Sequence, residues 1–119
     1  MKLRKARGRM IEDTIASIEA RIQGSESISE NRRQELLQLL QTLRAEVSRI
    51  PEAHSEQAQS IAGFAQVAAH EASRAEQNPE LLDLSIKGLT SSVTGFEETH
   101  PRLVQIVNNI ANTLSGLGI

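Results

Sequence analysis

His100 stands three residues after Glu97 and directly before Pro101. Glu-x-x-His is the helical spacing that gives two ligands to one metal of a di-metal carboxylate bundle. A complete site needs that motif twice, plus two further inward acids. Neither Glu52 with His54 nor Glu71 with His70 repeats it, so one chain holds half a site and a dimer would have to supply the rest. His100 also suits a group that titrates near neutral pH inside a helical interface. The structural alternative is a junction histidine that caps a helix or bonds a carbonyl freed by Pro101.

Other chemistry-bearing patterns are weaker. His70-Glu71 opens like the zinc-protease motif, but the fourth residue after His70 is Arg74, and zinc needs two imidazoles at that spacing. His54 is expected to be exposed, with nothing converging on it. Glu12-Asp13 and Glu97-Glu98 are adjacent pairs that diverge by about 100° on a helix, so neither makes an acid/base couple. With no cysteine there is no disulfide, thiolate metal site or cysteine nucleophile. No P-loop, dinucleotide fingerprint or nucleophile elbow is present. Gly116 and Gly118 read as C-terminal capping. The expectation is a non-enzymatic protein without cofactor or metal.

Lys2, Arg4, Lys5, Arg7 and Arg9 place five bases and no acid in the first ten residues. The rest of a chain with net charge −2 is therefore seven charges negative. A basic arm over residues 1–8 is a candidate contact for nucleic acid or an anionic membrane surface. It lacks interleaved aromatics to stack on bases. The other reading is a solvated, frayed terminus. The start has no apolar signal-peptide region, and no apolar run reaches membrane-spanning length. A soluble, cytoplasmic protein is expected.

The elements that would hold these groups are helices. At 119 residues one domain is the default. Phe64 and Phe96 are the only aromatics, and a core of Leu, Ile, Val and Ala suits helices rather than a sheet. Ile11, Ile15, Ile18 and Ile22 recur at 4-3-4 and predict a helix near 9–23, with Gly24 in the left-handed position after its end. Leu36, Leu40, Leu43, Val47 and Ile50 predict a second helix near 29–50, capped by Ser29. The short connection makes the two antiparallel neighbours. Pro51 then ends or kinks the chain.

A third helix is predicted near 52–76. Its seam is Ala58, Ile61, Ala65, Ala68 and Ala72, small side chains that let another helix approach closely. From Gln57 to Ala69 there is no charge. Gly63 lowers helix propensity, and close packing is its expected reason. Asn78-Pro79-Glu80 restarts the chain with a cap, proline at the first helical position and acid in the first turn. Leu82, Ile86, Leu89, Val93 and Phe96 run at 4-3-4-3, and so do Leu103, Val107, Ile110, Leu114 and Leu117. The two stripes share one register through His100, which predicts one long helix over 79–115, kinked at Pro101. Two helices capped at His100 or Thr99 are the alternative. No charged side chain follows Arg102, so the last helix is surrounded either by other helices or by a partner.

Phe96-Glu97-Glu98-Thr99-His100-Pro101-Arg102-Leu103, continuing through Asn109-Ile110-Ala111 to a terminal Leu117-Gly118-Ile119, resembles the hallmark of a small bacterial family known as a domain of unknown function. The close resemblance covers about 24 residues, 96–119. It implies a bacterial, helical protein and supplies no activity or catalytic residue.

The reading is thus an all-α chain, an antiparallel helical bundle with coiled-coil-like hairpins. It is expected to self-associate as a dimer or higher oligomer. The candidate interface residues are Phe96, His100, Pro101 and Leu103 at the junction and the small-residue seam from Ala58 to Ala72.

Overall fold

The computed structural model describes the backbone from Lys2 to Leu117 and the side chains from Met10 onward. Among these residues there are five α-helices, one short 3-10 turn and no strand. They are α1 (Lys2–Gly24), α2 (Glu30–Val47), α3 (Ser55–Ala72), α4 (Pro79–Ser92) and α5 (Pro101–Leu117). The molecule measures 41 × 26 × 22 Å. α3 packs on α1, α4 and α5; α2 packs on α1 and α5; α4 packs on α5. The predicted stripes face inward, with Ile15, Ile22, Leu36, Leu40, Leu43, Leu89, Leu103, Val107, Ile110 and Leu114 all fully buried. Each such aliphatic side chain contributes roughly 1.5–3 kcal/mol when removed from water.

Local chemistry explains most boundaries. The Ser29 hydroxyl accepts from the Arg32 N–H at the start of α2. The Asn78 carboxamide oxygen accepts from the N–H groups of Glu80 and Leu81 at the start of α4. Pro51 ends rather than kinks α2. The helix closes at Val47, three residues short of the predicted end, and a 3-10 turn at Glu52–His54 leads into α3. α3 is shorter at both ends than the predicted 52–76.

Three expectations need correction. The segment read as an arm ahead of the first helix belongs to that helix, because α1 begins at Lys2. Gly24 does not take the left-handed position; among the described residues the only positive φ is at Gly95. The end of α1 is instead held by Arg33, whose guanidinium donates to the carbonyls of Ile22, Ser25 and Ile28.

The third correction concerns Pro101. There is no continuous helix over 79–115. α4 ends at Ser92, residues 93–100 form a turn, and Pro101 is the first residue of α5. Gly95, at φ +99°, turns the chain in a conformation that side chains with a Cβ avoid. The shared register has a local cause. The turn keeps an α-type bond from His100 N–H to the Phe96 carbonyl (2.8 Å), and the His100 carbonyl accepts from Val104 N–H (3.3 Å). One turn of helical rise is thereby preserved across the break.

Candidate functional site

The turn between α4 and α5 assembles the junction residues. Phe96 is buried there although it lies outside any helix, and Leu103 is fully buried in the first turn of α5. The His100 ring meets Phe96 edge-on, with centroids 5.6 Å apart. His54 approaches the same phenyl ring at 6.3 Å, also edge-on. Edge-to-face contacts of this kind place the positive rim of one ring against the negative face of another. The two imidazoles line an open cleft of about 390 Å³, together with Pro51, Gln57, Thr94 and Thr99.

Two sequence expectations change at this cleft. His54 is exposed as expected, but it does not stand alone, since Phe96 and His100 converge on it. Nothing near His54 in the sequence signals this, because its partners come from a distant turn. The Glu97/His100 pair loses the helix that its di-metal spacing requires. Residues 97–99 are a turn, and a Glu97 carboxylate oxygen accepts from the Gly95 N–H at 2.7 Å. Among the described residues, no group of three His, Asp or Glu side chains comes together as a metal site would need.

An acid that the sequence reading passed over lies close by. Glu46 is buried at the end of α2, with Arg49 at 3.6 Å and Arg102 at 3.5 Å. Both arginines are largely exposed, so the pairings are loose and screened. Their role is to let a carboxylate stand between α2 and α5 without being left alone. The available signal was position: Glu46 sits beside Val47 on the edge of the Leu stripe.

The small-residue seam is buried within the chain. Ala58, Ile61, Ala65, Ala68 and Ala72 are at most 2 % exposed, and α1, α4 and α5 pack on α3. Intrachain packing also covers the apolar face of α5, which carries no charge after Arg102, leaving Asn108, Asn109 and Asn112 exposed on its other side. The opposite face of α3 is different. Phe64 and Val67 are 42 % and 49 % exposed, and on neighbouring α4 Leu81 and Leu84 are 44 % and 63 % exposed. The Phe64 ring lies against Gly88 of α4, one helical turn from Leu84. On the α1 side of α3, Val67 and Ile18 are among the walls of a shallow groove of about 350 Å³.

The basic cluster is helical in backbone, but the side chains of Lys2, Arg4, Lys5, Arg7 and Arg9 lie outside the described residues. No helix among the described residues is long and apolar enough to cross a membrane.

A family model described as a domain of unknown function (DUF4404) matches residues 36–119. The match takes in α3, α4, the junction turn and α5, along with most of α2. No curated protein and no solved structure matches the chain.

Proposed function

Since the chain belongs to the DUF4404 family, which brings no activity with it, we propose a function from its own surface. It is a cytoplasmic, non-enzymatic interaction module, built of antiparallel helical hairpins, that self-associates through the outer face of α3 and α4. The observation that carries this reading is the patch of Phe64, Val67, Leu81 and Leu84, four large apolar side chains left partly in water beside a well-buried core.

Their exposed fractions amount to about 350 Å² of surface, the size of the largest apolar patch on a typical monomer, which is often functional. A stable interface buries about 800 Å² on each partner, so this patch would form its centre and polar neighbours its rim. Ser60, Gln57 and Gln66 supply such a rim, and α3 carries no charge from Gln57 to Ala69. The uncharged α3 side of the rim offers neither an acidic nor a basic partner a complement, and on the α4 side Asp83 and Lys87 pair with each other.

Light scattering over a dilution series tests the reading. A mass twice that of the chain is expected, with Leu84→Glu weakening the association at least about tenfold. A monomer at the highest concentration would sink it.

A second reading concerns Lys2, Arg4, Lys5, Arg7 and Arg9. All five stand in the first turns of α1, close together along one helix, which favours a contact with a polyanion such as duplex DNA. Binding of a duplex oligonucleotide across a salt series, with and without residues 1–9, tests it. Binding unchanged by the deletion would make the segment passive.

A further inference from the structure

We infer that the end of α2 and the start of α5 form a binding site for hydrogenphosphate, in which Arg49 and Arg102 hold the anion's oxygens and Glu46 accepts a hydrogen bond from its P–OH.

The first observation is what the two arginines leave unused. Arg49 Nη1 lies 3.6 Å and Arg102 Nε 3.5 Å from the same atom, Oε2 of Glu46. Those separations are ion pairs rather than hydrogen bonds. Both side chains are 70 % exposed, and among the described residues neither guanidinium donates a hydrogen bond. Their forks are therefore open to a ligand. The shared oxygen keeps the two nitrogens within about 7 Å of each other. A tetrahedral oxyanion that accepts from each at about 2.8 Å bridges such a gap. Arg102 also stands in the first turn of α5, which contains no acid, so the positive end of that helix adds to the field there.

The second observation is Glu46. Its side chain is only 8 % exposed, and among the described residues no group donates a hydrogen bond to its carboxylate. It lines an open cavity of about 410 Å³ together with both arginines. Two guanidiniums against one carboxylate leave that cavity net positive. A carboxylate is acceptor-only, and a buried one without a donor costs free energy. Its donor must reach it from the cavity. An oxyanion without hydrogen would set oxygen against oxygen at Glu46. Hydrogenphosphate satisfies both halves of the site, since its bare oxygens accept from the arginines while its P–OH donates to Glu46. Sulfate at neutral pH carries no hydrogen and fails the second half. Ala45, exposed between Gln41 and Arg49 on the same face of α2, leaves the cavity floor clear. The exposed Gln41 carboxamide is placed to donate to a remaining phosphate oxygen.

Amide NMR titration of the full chain with phosphate, sulfate and methyl phosphate, at constant ionic strength, tests this. At about pH 8 all three are essentially dianions, and only inorganic phosphate keeps a hydrogen. Phosphate is expected to give saturable shifts centred on residues 41–49 and Arg102, and to bind at least about tenfold more tightly than the other two. Arg49→Gln and Arg102→Gln change exposed positions, and each is expected to weaken phosphate about tenfold with the circular dichroism unchanged. Glu46→Gln replaces the acceptor with an amide that can donate to sulfate, so it is expected to erase the preference for phosphate. Should that variant fail to fold, the wild-type preference and the arginine variants still decide. Equal binding of phosphate and sulfate, or shifts centred elsewhere, would mean that the basic surface only screens anions, and overturns the inference. Methyl phosphate binding as tightly as phosphate overturns the role of Glu46 and makes an esterified phosphate the ligand. Phosphate binding that survives both arginine substitutions, or no saturable shift up to about 50 mM, overturns the site itself.

Discussion

The Phe64 ring rests on Gly88 so closely that a Cβ there would come within 2.4 Å of both Cδ1 and Cε1. Glycine at 88 is what allows α3 and α4 to carry an aromatic ring between them at the surface. Gly88→Ala gains up to about 1 kcal/mol of helix propensity and loses roughly 1–3 kcal/mol to overpacking. A net loss of up to about 2 kcal/mol is expected, limited because the half-exposed ring can swing toward solvent. Adding Phe64→Ala should remove the clash. A double-mutant cycle in urea is expected to show coupling of at least about 1 kcal/mol between the two positions; simple additivity would contradict the contact.

Arg33 closes the α1–α2 connection where the sequence reading placed a glycine cap. Its guanidinium donates to three main-chain carbonyls and pairs with Glu30, with only 16 % of its side chain exposed. Arg33→Ala takes its donors from the Ile22, Ser25 and Ile28 carbonyls in and after the last turn of α1, and a loss of about 2–3 kcal/mol is expected. Arg33→Lys should recover little of it, because an ammonium cannot reach several carbonyls in a planar fork. Urea denaturation of the two variants checks this, and near-wild-type stability in Arg33→Lys would mean that charge alone suffices.

Much of this fold is written in spacing. The stripes through Ile11–Ile22, Leu36–Val47, Ala58–Ala72, Leu82–Val93 and Leu103–Leu114 mark buried faces, because a helix core repeats near 3.5 residues whatever its partner. Ser29 and Asn78 were legible as caps because capping is local chemistry. What spacing does not carry is tertiary. The break at residues 93–100 hides behind an unbroken register, since Phe96 and His100 keep one helical bond within the turn. His54 joins the junction only through contact with Phe96.

The alanine seam is a size constraint as well as an apolar one. Ala65 and Ala68 are buried in the middle of α3, with α1, α4 and α5 packed on the same helix. Ala65→Leu keeps the residue apolar but adds volume where neighbours already touch. It is expected to destabilise by roughly 1–3 kcal/mol, perturbing rotamers around it. Ala65→Gly removes only a methyl and costs about 1 kcal/mol through helix propensity. Thermal unfolding of both variants checks the order; a tolerated leucine would show that the seam is looser than its composition implies.

The α4–α5 turn gives the clearest separation between two residues that both look like breakers. Pro101 occupies the first helical position of α5, where its missing N–H is not needed. Pro101→Ala should leave helix content unchanged and cost at most about 1 kcal/mol, through the extra freedom of the unfolded chain. Gly95 holds φ at +99°, which alanine reaches only under strain. Gly95→Ala is expected to cost more than Pro101→Ala, about 1–2 kcal/mol, and to loosen Phe96, whose N–H bonds the Val93 carbonyl across that same turn. Circular dichroism with urea titration distinguishes the two. If Pro101→Ala proved the more damaging, the proline rather than the glycine would be setting the direction in which α5 leaves the turn.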